Sequence, residues 1–328
     1  MSKKSHIDPT LPARLVPIEI AKPWGKEIWY TGMEVRGESR VEIPGESVSL
    51  SSYLASDPAR MANHESVLLL KVLDPKPVEV LGDMYFEVHE EKQEVYVVTH
   101  VDRNAWPAGV GAVRFGMNQV KRAEFKDAHA FRAGYLQAVK SYEKIRRQID
   151  QDLDSVAAQV EKSARQHMNS FAHTRELHVG DVVKVPTWTP HSLMHGVRVV
   201  EFQTPTYERY IISFAQQVLT QDHWDSQHAI ANMRIDTPTT EVFEAVSNGI
   251  EKIVSFTDFS VWRVNLSTRE KLVLSPTLPY AVCMGLDGDV QVGALPIAAE
   301  QACFIPHAAL AHTKIHGTGR LLIAAPNL

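Results

Sequence analysis

Apolar and polar residues alternate through much of the first hundred positions, as in Ser47-Val-Ser-Leu-Ser-Ser-Tyr-Leu54 and Glu94-Val-Tyr-Val-Val98. A period of two, punctuated by Gly and Pro, predicts short strands with one face in a core, and so a barrel or sandwich. The pattern then changes: from Leu136 through Val139, Tyr142, Ile145, Ile149, Leu153, Val156 and Val160, apolar residues recur at steps of three and four. That spacing predicts an amphipathic helix with charged faces outside, lying over the barrel or against another helix. Beyond a polar connection at Gln221-Asp-His-Trp-Asp-Ser-Gln-His228 and Asp236-Thr-Pro-Thr-Thr-Glu241 the strand rhythm returns, for example in Val261-Trp-Arg-Val264, Tyr280-Ala-Val-Cys-Met284 and Leu321-Leu-Ile-Ala324. Asp287-Gly288 predicts a turn between two of these later strands. The polar connection is the expected boundary, dividing the chain into 1–235, with a helical insertion at about 119–170, and 236–328.

Composition narrows the class. With 328 residues, 44% hydrophobic and 22% charged, the chain can bury a large core and is long enough for two domains. A net charge of −5 argues against a nucleic-acid surface. Met1-Ser-Lys-Lys-Ser-His6 precedes no apolar leader core and no apolar run approaches eighteen residues, so a cytoplasmic protein without membrane association is expected. Cys283 and Cys303 could pair only with each other, and in that compartment they are expected to be free buried thiols.

The densest chemistry lies in two short segments. Gly82-Asp-Met-Tyr-Phe-Glu87-Val-His89-Glu-Glu-Lys-Gln-Glu94 reads G-x4-E-x-H-x4-E, and about ninety residues later comes Gly180-Asp-Val-Val-Lys-Val-Pro186-Thr-Trp-Thr-Pro-His191. Glu87 and His89, two apart on a strand, aim to the same side. The odd step from His89 to Glu94 needs a turn, and in the second segment Pro186 closes a strand before a short loop delivers His191. Two imidazoles and two carboxylates then converge, the donor set for one divalent ion with positions left open for substrate. Zinc is the first expectation, with manganese, iron, cobalt and nickel also suited to these donors.

These paired segments resemble the two motifs of the cupin superfamily, with Glu87 where the first usually has His and Trp188 where the second usually has Gly. Lys22-Pro-Trp-Gly25, Val67-Leu-Leu-Leu-Lys71-Val-Leu73 and Glu201-Phe-Gln-Thr-Pro-Thr-Tyr-Glu-Arg209-Tyr210 resemble elements of one cupin branch, the type I phosphomannose isomerases. Ile253-Val-Ser-Phe-Thr-Asp-Phe-Ser-Val-Trp-Arg-Val264 resembles the strand that opens their C-terminal barrel. The resemblance implies a mainly β fold of two cupin-type jelly-roll barrels, with the helical insertion in the first. Ala302-Cys-Phe-Ile-Pro306-His307 repeats the rhythm of Val182-Val-Lys-Val-Pro186 but lacks a preceding E-x-H, so the second barrel is expected to be degenerate and His307, His312 and His316 to be without a metal.

The activity implied is metal-dependent aldose–ketose isomerisation of a small-molecule sugar or sugar phosphate, as in mannose 6-phosphate to fructose 6-phosphate through an enediol. Lys71 and His195 are the candidates for moving the proton, and Arg209 for holding a phosphate. The isomerases have a neutral Gln where this chain has Glu87, and His-Pro where it has His89-Glu90. A second carboxylate cancels the formal charge of a dication, which points to tighter metal binding and weaker polarisation of a sugar oxygen. Two other readings use the same residues: an iron-dependent cupin oxygenase and a non-catalytic sugar-binding or regulatory protein.

Overall fold

The computed structural model describes residues 8–43, 46–150, 158–215, 224–239, 242–267 and 271–327. Its N-terminal unit is built from two antiparallel sheets. The six-stranded sheet has the order Val182–Val185, Glu94–Val101, Val197–Gln203, Leu69–Pro75, Gly25–Trp29, Ile18–Lys22. The five-stranded sheet runs Ala172–Leu177, Gly111–Met117, His191–Leu193, Phe86–Val88, Tyr210–Ser213. Period-two alternation sorts the six-stranded sheet's side chains onto two buried faces. Leu73, Tyr96, Val98 and Val199 enter one core with Val113, Phe115 and Leu193 of the facing sheet. Leu70, Val72, Val95, Val97 and Val200 pack the other way, against Val282, Phe304 and Leu322. Burial on both faces explains why Val67-Leu-Leu-Leu70 is apolar throughout, and why the one lysine following it stands out.

The C-terminal strands belong to an eleven-stranded sheet. Its main path ends with Ala302–Pro306 pairing to Ala13–Val16, followed by Arg40–Ile43 and Glu46–Ser49. Three strands from before residue 50 therefore extend the later sheet across the 235/236 division. The second barrel's own core holds Val264, Ile305, Leu321 and Ile323. Cys283 and Cys303 lie there as cross-strand partners, both buried and free.

Three local expectations change. Ser47–Leu54 is a strand only to Ser49, whose side chain accepts from the Ser52 N–H and starts the helix Leu50–Ala55. Leu50, Tyr53 and Leu54 are its buried positions, a helical spacing that the short alternating stretch had hidden. Asp287-Gly288 makes no turn: the strand Tyr280–Val292 runs through it with a register shift between Gly285 and Asp287. Gly288 has φ +74° and the Asp287 carboxylate accepts from the Arg320 backbone N–H, so the pair builds a bulge.

The insertion contains the helices Gln119–Arg122, Ala128–Asp150 and Ala158–Asn169. Phe131, Tyr135, Val139 and Tyr142 form the buried stripe and join the core shared with Ile212 of the five-stranded sheet. Val160, expected to continue that stripe, is 52% exposed, while Leu153 and Val156 lie outside the described residues, as do Gln221–His223 and Thr240–Glu241 of the polar connection. No helix among the described residues is long and apolar enough to cross a membrane.

Candidate metal centre

The two sequence segments meet inside the first barrel. Glu87 on the strand Phe86–Val88 is the direct cross-strand partner of His191 on His191–Leu193. His89 follows just past the strand end, and the chain then bends before Glu94 opens Glu94–Val101 in the facing sheet. Glu208 holds that bend, its carboxylate accepting from the N–H groups of Glu90 and Glu91 at 3.0–3.2 Å. One sheet thus supplies Glu87 and His191 directly, with His89 at its margin, and the other supplies Glu94.

His89 Nε2 lies 3.7 Å from Glu87 Oε1 and 3.4 Å from Glu94 Oε1, and His191 Nε2 lies 3.1 Å from Glu94 Oε2. The ligand atoms of Glu87, His89 and His191 all lie within 4.8 Å of one another. Donors sharing a tetrahedral ion at about 2.1 Å stand roughly 3.4 Å apart, so this spacing brackets one ion. No other such group of His, Cys, Asp or Glu is found among the described residues, and His307 instead bonds the Leu278 carbonyl through Nδ1.

The protonation pattern suits a cation. His191 Nδ1 stands 2.9 Å from the Thr189 carbonyl and carries a hydrogen, while Glu94, 3.1 Å from Nε2, raises the imidazole above its usual range despite burial, so that a cation bound at Nε2 would displace a proton. Burial and the Lys92 charge hold His89 well below the usual imidazole range, keeping it neutral. Burial would raise the Glu94 carboxyl, but Lys92, 2.5 Å away, together with His89 and His191, drives it well below the carboxylate range. The Tyr96 hydroxyl donates to Glu94 Oε2 at 2.6 Å and helps to aim it. Nε2 of His89 and Oε2 of Glu87 are buried without a hydrogen-bond partner, an expensive arrangement that a bound divalent ion would relieve, whereas His89 Nδ1, also buried and unpartnered, would stay so. The residues present therefore fit the metal.

A cavity of about 130 Å³ opens beside the cluster, with Glu87, Glu94 and Tyr96 in its wall. Lys71 and Arg209 also line it, as the sequence led us to expect. Lys71 Nζ donates to Gln203 Oε1 at 2.7 Å and lies 3.6 Å from Glu201, while the Arg209 guanidinium stacks 4.8 Å from the Tyr85 ring centre. His195 does not reach the cavity wall. The strand carrying His191 ends at Leu193, so the alternation that would have aimed residue 195 inward stops one step early. His195 Nδ1 instead pairs with Asp83 at 2.7 Å, its ring stacks on Trp106 at 4.8 Å, and Arg114 holds the same carboxylate. His195→Ala is accordingly expected to cost about 1–3 kcal/mol of stability in urea unfolding and to leave metal content unchanged. A variant of native stability that loses its metal would restore His195 to the site.

Glu27, Lys92 and Glu201, which sequence reasoning missed, also face this cavity. Glu201 and Gln203 are two apart in the otherwise apolar Val199-Val-Glu-Phe-Gln203, and this period-two polar pair was the available signal. Strand register sets Tyr96, Glu201, Lys71 and Trp29 in one row across the sheet. Burial, reinforced by Glu94 and Glu27 and opposed by Lys71 and Lys92, pushes the Glu201 carboxyl up to about 8. Glu27 goes the other way, to about 2, because Lys71, Lys22 and the Trp29 N–H outweigh its burial. A raised carboxyl stabilises the fold fully below its unfolded pKa, and that contribution is lost as pH climbs through the folded value. The metal-free Glu201→Gln variant should therefore gain stability over wild type between pH 5 and 8, by up to about 1.4 kcal/mol per pH unit. Parallel pH–stability curves for the two proteins would show that Glu201 ionises normally.

No protein-family model matches the sequence, and no curated protein is detectably related to it in sequence. Solved structures share the fold. Mannose 6-phosphate isomerase from Bacillus subtilis aligns with a TM-score of 0.67 at 16% identity, over 95% of this chain and 99% of that one. An arginine-to-alanine mutant of phosphomannose isomerase from Salmonella typhimurium gives 0.72 at 14%, over 97% and 100%. A zinc-bound mannose 6-phosphate isomerase gives 0.71 at 14% over the same shares. Identities this low establish the fold and nothing finer.

Proposed function

We propose that this chain, which has the cupin fold of the type I phosphomannose isomerases, is a metal-dependent aldose–ketose isomerase of a sugar or sugar phosphate. The observation that carries the reading is the convergence of Glu87, His89, Glu94 and His191 on a cavity walled by the cations Lys22, Arg36, Lys71, Lys92 and Arg209. That wall sets five cations against four carboxyls, of which Glu201 is raised to about 8, so a dication would leave it at least three charges positive. Such a surplus favours a phosphorylated substrate over a neutral sugar.

Isomerisation moves a proton between neighbouring carbons while the carbonyl shifts from C1 to C2. The metal, when bound, supplies a Lewis acid and template for the substrate oxygens. The Glu201 carboxyl, pushed up to about 8 by burial, faces the same cavity, which suits a group that takes a carbon-bound proton and returns it. Lys71, 3.6 Å away, tempers the Glu201 charge and reaches the cavity with its own N–H donors. Arg209 offers a planar fork to a phosphate, and the buried sheet behind the row keeps bulk water from its base.

The test is proton exchange. Protein loaded in turn with zinc, manganese, iron, cobalt or nickel is incubated in deuterated water with mannose 6-phosphate and with unphosphorylated aldoses. Ketose carrying deuterium at C1, the former carbonyl carbon, is the expected product. Absence of both ketose and deuterium with every metal and sugar would replace this reading by a non-catalytic binding protein.

A further inference from the structure

Trp188 has a backbone conformation that its side chain disfavours. Its φ is +59°, in the left-handed region where a Cβ crowds the chain and where glycine is the usual occupant. Bulky residues stay there only when their surroundings over-determine the conformation. The surroundings here tie directly to both halves of the metal cluster. The Trp188 N–H donates to the His89 carbonyl at 2.7 Å, and the Trp188 carbonyl accepts from the Arg234 N–H at 2.7 Å. The next residue, Thr189, offers its carbonyl to His191 Nδ1 and donates its own N–H to Pro186. A rotation at Trp188 would therefore displace the backbone of one imidazole ligand and the outer partner of the other together.

The indole itself stays out of the cavity wall. It stacks on Tyr210 with ring centres 5.8 Å apart and planes 4° from parallel, and His228 of the helix Ser226–Asn232 closes against both rings. Tyr210 is anchored in turn: it pairs with Val88 in the strand that bears Glu87, and its hydroxyl donates to Glu90 Oε2 at 3.0 Å. We propose that this ring stack clamps Trp188 in the left-handed conformation and so sets the spacing of His89 and His191, making Trp188 a positioning residue for the metal. The inference rests on the metal cluster of the proposed function and does not depend on which reaction it serves.

Glycine separates the backbone's role from the ring's. Trp188→Gly adopts the same φ without strain, Trp188→Phe keeps a ring to stack, and Trp188→Ala keeps the strain with nothing to hold it. Metal-free proteins would be titrated with zinc against a chromophoric chelator, with circular dichroism confirming that each is folded. Trp188→Ala should bind zinc about 10–100-fold more weakly, the usual loss when an outer partner of a ligand is removed. The Gly and Phe variants should stay within about threefold of wild type. Wild-type affinity in the Ala variant, or a Gly variant as weak as the Ala one, would overturn the clamp. If the Ala variant does not fold, Tyr210→Ala takes its place: weakened zinc binding supports the clamp, and unchanged binding overturns it. Wild-type protein that binds no zinc ends both this inference and the metal reading. Zinc binding without isomerase activity ends the isomerase reading while these titrations still decide the clamp.

Discussion

The wild-type protein should purify with one divalent ion per chain, and His89→Ala and His191→Ala should each purify with little of it. Each substitution removes a neutral nitrogen donor from a set whose other members are buried and aimed by their own partners: Lys92 and Tyr96 on Glu94, the strand pairing on Glu87. Losing an outer partner typically costs 10–100-fold in affinity, and losing a ligand should cost at least ~100-fold. Glu87→Gln should fall between, because it keeps an oxygen of similar reach and removes one negative charge. Elemental analysis of protein purified without added metal gives the stoichiometry, and chelator competition gives the affinities. Metal content equal to wild type in both histidine variants would dismiss the cluster as a metal site. Affinity unchanged in Glu87→Gln would remove that carboxylate's charge from the binding.

Arg209→Met and Lys71→Met are expected to raise KM for a phosphorylated sugar by about 10–100-fold each, since a charge-assisted contact in a buried site contributes roughly 1.5–3 kcal/mol. For an unphosphorylated sugar the Arg209 change should matter little. The Lys71 change should then appear in kcat, because Lys71 touches Gln203 and approaches Glu201, the groups nearest the proposed proton path. Kinetics on paired phosphorylated and free sugars separate these cases. Unchanged constants for both variants on every active substrate would take the two cations out of the site and leave the metal cluster alone.

The outer-sphere arrangement also bears on Glu87. Two carboxylates neutralise a dication, yet Lys71, Lys92 and Arg209 lie in the same cavity wall. With a dication bound, these fixed cations would restore part of the field lost at the metal and so partly separate metal affinity from the electrostatics felt by a substrate.

Much of this site was legible in the chain because metal ligation depends on local spacing. E-x-H on a strand, a bend before Glu94, and a proline-closed loop before His191 are short-range patterns, and their side-chain directions follow from the two-residue period. The same period marked Lys71 as an anomaly in an apolar strand. It failed where a strand ended unseen, as at His195, just past the strand end at Leu193, and where a cap or bulge competed, as at Ser49 and Asp287-Gly288.

What the sequence determined by itself was the set of candidate metal donors and the β-rich, helix-interrupted framework, both of which are written in residue type and interval. Tertiary structure alone decided which distant groups share the cavity. Glu27, Lys71, Tyr96 and Glu201 come from four strands, and only strand register brings them together. It also decided that strands before residue 50 complete the C-terminal sheet, because strand pairing over nearly three hundred residues leaves no local mark. Glu201 rises to about 8 for the same reason: burial and neighbouring charge are properties of the assembled sheets, and no interval along the chain encodes them.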